Sequence, residues 1–569
     1  MDKTPIIEFN DFTFKYYSQA EPTLHNINLK IYEGEKILIV GPSGSGKSTL
    51  GHCLNGLIPF SYTGEISGSL KVKGLETKDQ DIFTLSKILG TVLQDSDGQF
   101  VGLTVAEDIA FALENDNIPT DLMHLRVLKV SKLVDMENSL NSSPFELSGG
   151  QKQRTALAGV MIDDVEVLLF DEPLANLDPY TGKKAIEIID EIHENSKKTI
   201  IIIEHRLEDV LHKSIDRVIV INEGRILGDL NPHELVSSSI LIDNGIREPL
   251  YITALKYAGV NLKEEMLPGN LYSLSIPNEY NKINTWNDSI IKDLSSNEND
   301  SILKLEDISF SYIKGKEILN NISFDVKEGE MLAIVGKNGS GKSTISKLIC
   351  GFEKPDAGSI YYRGNDLKDK SIKERAELIG LVMQNPNQMI SKPLIYDEVA
   401  LGLRLRGVAE DEIKLKVDKI LLICGLAPFV DWPIGALSYG QKKRVTIASI
   451  LVLDPKIIIL DEPTAGQDYK HYSEIMEFLK SINELGITII FITHDMHLML
   501  EYTSRSIVLA NKHIVADTKP SIVLSDSEVI EVANLKETSL YSLANMAGIV
   551  DASGFVQNFI DYERSVKER

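Results

Sequence analysis

The sequence contains one long internal repeat. NINLKIYEGEKILIVGPSGSGKSTL begins at Asn26, and NISFDVKEGEMLAIVGKNGSGKSTI begins at Asn321. Further matches follow in the same order, first LSGGQKQR and LSYGQKKR, then LLFDEP and IILDEP. The repeated unit spans about 250 residues, whereas the units that stack into solenoids have 20 to 50. The chain therefore builds one domain fold twice.

Within each copy, short apolar runs alternate with helical stretches. Runs such as KILIV and VLLFD, which end at Gly, Asp or His, are typical of buried parallel strands. We therefore expect an α/β fold with a mainly parallel sheet in each copy. The connection between the copies is rich in Asn, Ser and acids, which predicts a flexible, solvated linker. The predicted boundaries are 5–247 for the first copy, 263–300 for the linker, 302–535 for the second copy and 536–569 for a C-terminal tail.

Composition argues against several functions. The formal net charge is −24, and broad nucleic-acid binding needs a surplus of Lys and Arg, so no nucleic-acid partner is expected. Three scattered cysteines favour a reducing compartment over a disulfide framework. The first ten residues lack a signal-peptide pattern, and no run of about 18 apolar residues occurs. We therefore expect that the chain does not itself cross a membrane.

Two segments match the phosphate-loop pattern G-x-x-x-x-G-K-[ST], and each follows an apolar strand. Glycines let backbone N–H groups wrap around phosphates, and the following helix adds its positive N-terminal end. We expect Lys47 and Lys342 to reach the β- and γ-phosphates of ATP, and Ser48 and Ser343 to ligate Mg²⁺. The predicted nucleotide-binding residues of these loops are Gly41, Pro42, Ser43, Gly44, Ser45, Gly46, Lys47, Ser48 and Thr49, and Gly336, Lys337, Asn338, Gly339, Ser340, Gly341, Lys342, Ser343 and Thr344.

An Asp–Glu pair ends a later apolar strand in each copy. Asp171 and Asp461 stand where α/β sheets bind ligands, so each is predicted to hold Mg²⁺. Glu172 and Glu462 follow and are predicted to act as general bases on the attacking water. An acidic turn before proline is the alternative, but the pair recurs at equivalent places.

A histidine closes the next apolar run in each copy. His205 ends TIIIIEH, and His494 ends TIIFITH. A single histidine at a strand end is usually structural. Two histidines at matching distances from the same carboxylate pair favour a catalytic contact with the γ-phosphate.

These motifs together resemble the ABC ATPase family. LSGGQ at Leu147–Gln151 is that family's signature, and LSYGQ at Leu437–Gln441 is a variant. The resemblance implies Q-loop ligands for Mg²⁺ at Gln94 and Gln384. It also implies adenine-stacking aromatics and signature contacts to the nucleotide, at Tyr16, Tyr312, Ser148, Gly149, Gly150, Gln151, Ser438, Gly440 and Gln441. For the first aromatic, Tyr17 and Phe14 compete with Tyr16, and a core role remains the alternative.

The resemblance also implies an architecture. Each P-loop ABC nucleotide-binding domain carries a helical signature subdomain beside its sheet, and two domains enclose two ATP molecules head-to-tail. Site one would join Gly41–Ser48 to Leu437–Gln441, and site two would join Gly336–Ser343 to Leu147–Gln151. Because one chain holds both domains, we expect an intramolecular pseudo-dimer.

The segments after the Q-loop glutamines are similar to those of energy-coupling-factor transporter ATPases. QDSDGQFVGLTVAEDIAFALEN follows in the first copy and QNPNQMISKPLIYDEVALGLRLRG in the second. Those transporters import vitamins or metal ions. The similarity implies a membrane coupling subunit, a separate substrate-binding membrane protein and a peripheral location on the cytoplasmic face of the cell membrane. Four acids could attract a basic coupling helix or simply begin helices, namely Glu107, Asp108, Asp397 and Glu398.

Two other classes of tandem ABC protein remain as alternatives. A soluble ribosome-acting protein usually has a long, charged helical linker, whereas this linker is short, polar and acidic. A tandem sugar-import ATPase often has one degenerate site, whereas both sites here are complete. Three departures argue against equal work at the two sites, namely Tyr439 in the second signature, Asp95-Ser96 in place of Asn-Pro in the first Q-loop, and Arg206 after the first histidine. Because Tyr439 puts a large side chain against ATP held by Gly41–Ser48, we predict that the two sites turn over at different rates, site two being faster.

Overall fold

The computed structural model describes residues 4–93, 96–175, 177–290 and 299–567. The chain forms two compact units, the first comprising Met1–Trp286 with Asp468–Lys470 and the second comprising the remainder. Among the described residues, the first part of the chain has ten strands: β1 (Pro5–Tyr16), β2 (Leu24–Tyr32), β3 (Lys36–Val40), β4 (Gly64–Val72), β5 (Leu75–Glu76), β6 (Leu89–Val92), β7 (Val167–Asp171), β8 (Thr199–Ile203), β9 (Arg217–Asn222) and β10 (Arg225–Leu230).

The α-helices of this part are α1 (Lys47–Leu54), α2 (Leu57–Phe60), α3 (Ile82–Ser86), α4 (Val105–Asn115), α5 (Thr120–Leu133), α6 (Gly149–Met161), α7 (Pro179–Ser196), α8 (Leu207–Val210), α9 (Pro232–Ser237), α10 (Ile240–Asp243), α11 (Leu250–Tyr257) and α12 (Tyr280–Ser289).

The later part repeats the pattern with strands β11 (Ser301–Phe310), β12 (Leu319–Lys327), β13 (Met331–Val335), β14 (Ala357–Tyr362), β15 (Asn365–Asp366), β16 (Ile379–Val382), β17 (Ile457–Asp461), β18 (Thr488–Ile492), β19 (Arg505–Ala510) and β20 (His513–Thr518). Its helices are α13 (Lys342–Cys350), α14 (Ile372–Arg375), α15 (Ile395–Arg404), α16 (Glu410–Ile423), α17 (Tyr439–Leu451), α18 (Tyr469–Glu484), α19 (Met496–Tyr502), α20 (Pro520–Val523), α21 (Ser527–Ala533), α22 (Ser539–Met546) and α23 (Ala552–Lys567).

The first copy has a six-stranded sheet in the order β10-β9-β3-β8-β7-β6, and a four-stranded antiparallel sheet in the order β2-β1-β4-β5. In the larger sheet only the pairing of β9 with β10 is antiparallel among the described strands. The central strands β3 and β8 are buried along their whole length, which explains why they are rich in isoleucine. Their apolar side chains share one core with those of the smaller sheet.

The second copy has the same topology, with the strand orders β16-β17-β18-β13-β19-β20 and β12-β11-β14-β15. Its core likewise lies between the two sheets. The predicted α/β class with a mainly parallel sheet is thereby confirmed for both copies. Three mutually packed helices separate β6 from β7 and β16 from β17, and they include the signature helices α6 and α17.

The prediction of a flexible linker at 263–300 was wrong for its described part. Residues 280–289 form α12, in which Ile283 and Trp286 are buried, and Leu274 and Ile276 are buried ahead of it. These apolar residues are therefore packed, although the segment is rich in Asn and Ser. Overall composition could not predict that packing. Residues 291–298 of the predicted linker lie outside the described residues.

The segment predicted as a C-terminal tail is also folded. Helix α23 packs against α19, α20 and α22, and its Phe555 and Phe559 are fully buried. The guanidinium of Arg564 donates a 3.0 Å hydrogen bond to the carbonyl of Glu501. Residues 536–567 are therefore part of the second unit's structure.

Candidate functional site

The phosphate loops connect β3 to α1 and β13 to α13, as the local pattern predicts. Each helix begins at its lysine, and the preceding Gly46 and Gly341 have φ angles of 102° and 100°. A Cβ on Gly46 would lie 2.9 Å from the Leu24 side chain, so this position needs glycine for both its angle and its space. The backbone thus turns tightly into the helix N-terminus, where N–H groups are available to an anion.

The loop lysines are buried inside these turns. The Lys47 ammonium donates to the carbonyls of Gly41 and Pro42 at 2.8 and 2.9 Å. Lys342 makes the equivalent bonds to the second loop at 2.8 and 3.0 Å. Burial lowers the pKa of Lys47, and the nearby carboxylate of Glu172 opposes that shift. Each ammonium is thus held where a phosphate chain would enter the loop.

Buried serine hydroxyls in the loops support this assignment. The Oγ atoms of Ser45 and Ser340 are buried without a hydrogen-bond partner. Buried polar atoms normally find partners, so a repeated orphan hydroxyl in the same loop position fits a ligand that supplies one. The loops therefore fit the triphosphate of a nucleotide.

The aspartates lie at the carboxyl ends of β7 and β17, as predicted. Asp171 pairs in register with Ile203 of β8, and Asp461 pairs with Ile492 of β18. Burial raises the pKa of Asp171 to about 6, the neighbouring Glu172 adds to the shift, and a hydrogen bond from Ser48 lowers it. One carboxylate oxygen of Asp171, Oδ1, is buried without a hydrogen-bond partner.

The same relation recurs in the second copy. Burial raises the pKa of Asp461, and a hydrogen bond from the Ser343 hydroxyl opposes that shift. A serine hydroxyl beside a buried carboxylate supplies hard oxygen donors, which suit Mg²⁺. The residues present therefore fit the predicted cation.

The two glutamates share an unusual backbone conformation. Glu172 has a φ of 49°, and Glu462 has a φ of 46°. A non-glycine residue in this region costs free energy, and such residues cluster at functional sites. In both copies the side chain predicted as general base is therefore held by the same strained turn after its strand.

The histidines occupy equivalent positions but have different neighbours. His494 Nδ1 lies 2.7 Å from Glu462 Oε1, within hydrogen-bond distance. His205 Nδ1 lies 3.9 Å from Glu172 Oε1 and 3.2 Å from an oxygen of Glu204. The structure thus places histidine and predicted base within hydrogen-bond distance in the second copy, whereas the same pair of atoms is 3.9 Å apart in the first.

The signature residues begin helices α6 and α17. Ser148 and Gln151 form a reciprocal capping box at the start of α6, and Ser438 and Gln441 form one at the start of α17. A capped helix N-terminus also presents free backbone N–H groups, so capping and the predicted nucleotide contact are compatible.

The Q-loops are described unequally. Gln94 lies outside the described residues. The main-chain oxygen of Gln384 accepts hydrogen bonds from the Tyr439 hydroxyl at 3.1 Å and the Lys443 ammonium at 2.9 Å. The tyrosine that interrupts the second signature therefore contacts the Q-loop of its own copy.

The predicted stacking tyrosines stand at the edges of the phosphate loops. The Tyr16 hydroxyl lies 3.2 Å from Thr49 Oγ1, and the Tyr312 hydroxyl lies 3.5 Å from Thr344 Oγ1. Tyr312 is half exposed, whereas Phe14 is fully buried in the core. Phe14 therefore has no exposed face for an adenine ring.

The four acidic residues that could attract a coupling helix make hydrogen bonds or ion pairs within their own copies. Asp108 accepts from the backbone N–H of Val101 and Gly102, and Glu107 closes the capping box of α4. Glu398 accepts two backbone N–H groups, and Asp397 pairs with Arg404 at 2.8 Å. These contacts favour the helix-start alternative.

Comparison with known proteins places both copies in one family. A model described as ABC transporter matches residues 24–175 and 319–465. Proteins named as ABC transporter ATP-binding proteins from Clostridium perfringens and Enterococcus faecalis are 59% and 54% identical to this chain, over 100% and 99% of it and 100% of each relative. The chain belongs to the ABC transporter ATP-binding family. Proteins of this family bind ATP and are in general ATPases.

Other matches concern parts of this ABC protein. A model described as ATP-binding cassette cobalt transporter matches residues 238–310, and one described as an AAA domain matches residues 430–501. A solved structure of cbiO1 from Clostridium perfringens, described as part of the ABC transporter complex cbiONQ, is 37% identical with a TM-score of 0.39, and covers 44% of this chain and 100% of that chain. Across the described ranges, no helix of the ABC protein combines the length and apolar character needed to span a bilayer.

Sequence reasoning missed two residues at the sites of this ABC protein. Glu204 is completely buried beside His205, and Lys443 is completely buried and donates to the main-chain oxygens of Gln384 and Glu462. The available signals were a charged residue at the end of the apolar run TIIII and a lysine where the first copy has Gln153.

Proposed function

We propose that this chain hydrolyses ATP to drive an importer of the energy-coupling-factor type. The observation that carries the proposal is the recurrence of one complete set in each copy, a buried loop lysine, an Asp–Glu pair at a strand end and a histidine after the next strand. A degenerate site, as often found in sugar-import ATPases, would lack one of these groups.

In the proposed mechanism, Lys47 and Lys342 hold the phosphates while Glu172 and Glu462 polarise the attacking water. His205 and His494 contact the γ-phosphate. Ser48 and Asp171, and Ser343 and Asp461, would hold Mg²⁺, with Gln94 and Gln384 as further ligands. When bound, Mg²⁺ supplies positive charge that offsets the charge developing on the phosphate oxygens.

We further propose that the two domains act as a head-to-tail pair. Each phosphate loop would then work with the signature of the other copy, as the family resemblance implies. Both signatures begin a capped helix with available backbone N–H groups, which supports such a contact. The tether between the copies would raise the effective concentration of each domain for the other.

The proposed cargo is a metal ion, carried by separate membrane proteins. The match of residues 238–310 to a model described as a cobalt transporter favours a metal ion over a vitamin. We propose a peripheral location on the cytoplasmic face of the cell membrane, where the chain would bind a coupling subunit that works with a substrate-binding membrane protein. Val101 and Leu103 beside the first Q-loop are 63% and 81% exposed, which supports an apolar docking contact.

A hydrolysis assay tests the chemistry. The purified chain is expected to hydrolyse ATP when Mg²⁺ is present and to stop when the cation is chelated. Glu172→Gln combined with Glu462→Gln should lower kcat by about 10²-fold or more while leaving ATP binding intact, because the base acts mainly in the transition state. Undiminished turnover in the double variant would refute the assignment of the bases.

Affinity purification from detergent-solubilised membranes tests the transport assignment. We expect two kinds of membrane protein to accompany the chain, and Leu103→Asp to release them. Leu485→Asp is the matched control, because Leu485 is 65% exposed in the other copy, outside the Q-loop. Sedimentation with ribosomes and absence from the membrane fraction would instead favour the soluble tandem class.

A further inference from the structure

The residue before the histidine differs between the copies. In the first copy it is Glu204, which is completely buried. Its carboxylate accepts the backbone N–H groups of His205, Arg206 and Leu174 at 2.9, 3.2 and 3.2 Å. In the second copy the equivalent residue is Thr493, a neutral side chain of smaller size.

This difference changes what surrounds the predicted base. In the second copy, Glu462 receives the Thr493 hydroxyl at 3.2 Å and lies 2.7 Å from His494 Nδ1. In the first copy, His205 Nδ1 is 3.2 Å from Glu204 but 3.9 Å from Glu172. Glu204 thus places a second carboxylate beside His205, in addition to the carboxylate of the predicted base Glu172.

Two further positions differ together with this one. In the second copy the Thr464 hydroxyl donates to the Asp495 carboxylate at 3.0 Å, which joins the turn after the Asp–Glu pair to the segment after the histidine. In the first copy the equivalents are Leu174 and Arg206, and the Arg206 guanidinium donates to the Leu174 carbonyl instead. The same two segments are therefore joined by different interactions in the two copies. Positions 174, 204 and 206 of the first copy can be exchanged together for their equivalents in the second copy, 464, 493 and 495.

We propose that Glu204 is a positioning residue that draws His205 away from Glu172, so that the first copy hydrolyses ATP more slowly than the second. The inference rests on the proposed hydrolytic function. A displacement of about 1 Å in a group that must align with the reacting atoms is enough to lower a rate by one or two orders of magnitude. The difference between 2.7 and 3.9 Å from histidine to glutamate is of that size.

The test exchanges the whole set in a full-length chain whose other base is silenced. In a Glu462→Gln background, the remaining turnover reports the copy that contains Glu172. Combining Leu174→Thr, Glu204→Thr and Arg206→Asp should raise kcat about 10-fold with little change in the KM for ATP, because the exchange alters alignment in the transition state rather than binding. Glu204→Gln alone, which keeps the size and one acceptor oxygen, should raise kcat by a smaller factor.

The reciprocal exchange is the matched control. In a Glu172→Gln background, Thr464→Leu with Thr493→Glu and Asp495→Arg should lower kcat by a similar factor. Melting temperature and ATP binding establish that each variant is folded. A folded triple variant whose kcat does not rise overturns the proposal, and if the triple variant does not fold, an unchanged kcat in Glu204→Gln overturns it. Absence of hydrolysis by the unsubstituted chain would remove the proposed function itself, which is a different result.

Discussion

The two copies carry the same loop lysine, Asp–Glu pair and histidine, but different side chains surround the proposed base in each copy. In the first copy, burial raises the pKa of Glu172, and the nearby carboxylate of Glu204 adds to that shift against the opposing effect of His205. In the second copy, a threonine replaces this carboxylate and donates a hydrogen bond to the base. The first copy therefore has a second buried carboxyl group beside the proposed base, at a position where the second copy has threonine.

The second copy has gained a buried cation instead. Lys443 on α17 donates to the main-chain oxygens of Gln384 and Glu462 at 2.9 and 3.1 Å, whereas the first copy has Gln153 at the equivalent position. Its ammonium therefore joins the signature helix to the Q-loop and to the turn that begins at Glu462. Equal catalytic-type motifs therefore do not imply equal sites, because side chains outside the motifs set the electrostatics around them.

The largest expected effect is the difference in ATPase rate between variants that lose one or the other proposed base. We expect Glu462→Gln to remove most of the ATPase rate and Glu172→Gln to remove the smaller share, because the second copy holds its base and histidine together. At the altered site, the loss of a general base is worth about 10²- to 10⁴-fold. Steady-state kcat of the two single variants, each with ATP affinity measured in parallel, checks this expectation. Equal residual rates would mean that the different surroundings have no kinetic consequence.

A smaller expected effect is the pH dependence that the burial of Lys443 gives to the free energy of unfolding. Burial lowers the pKa of Lys443 to about 8, below its ordinary value of 10.5. Between these values the unfolded chain binds more protons than the folded one, so this group's cost is greatest below pH 8 and is relieved as the pH rises. Relative to Lys443→Met, the unsubstituted chain should therefore gain about 2 kcal/mol between pH 8 and 10, or about 5 °C in the Tm of the second copy.

Calorimetry across this pH range provides the measurement, with Gln153→Met as the control in the first copy. That control should follow the unsubstituted chain at every pH, because a glutamine does not titrate there. A Tm difference between the unsubstituted chain and Lys443→Met that stays constant from pH 8 to 10 would contradict the buried-charge interpretation.

Local sequence predicted the phosphate loops and the carboxylates because each depends on a short strand–turn–helix pattern. Lys47 begins α1 and Asp171 ends β7, as expected, for this reason. The folded structure of residues 263–290 could not be predicted in the same way. Ile283 and Trp286 are sparse among polar residues, and their burial depends on packing that a composition window does not contain.

The directions in which side chains point could not be predicted from the sequence either. The sequence shows that Tyr439 departs from the signature, but its contact with the Gln384 carbonyl depends on how α17 lies against the Q-loop. The burial of Glu204 could not be predicted from the sequence, because a charged residue at a strand end is ordinarily solvated, whereas here backbone N–H groups bind its carboxylate.

The smallest expected effect distinguishes Tyr439 from Glu204 as the source of unequal rates. Tyr439→Phe removes the hydrogen bond to the Gln384 carbonyl but keeps the bulk of the ring, which is 39% exposed. A hydrogen bond of this kind contributes about 1 kcal/mol, so the Tm should fall by about 2 to 4 °C. If the surroundings of His205 cause the asymmetry, the kcat ratio of Glu172→Gln to Glu462→Gln should change less than about twofold in Tyr439→Phe and also in Tyr439→Gly, which restores LSGGQ. A ratio that approaches unity in Tyr439→Gly would instead assign the asymmetry to the signature, because the ring would then be what slows the copy containing Glu172.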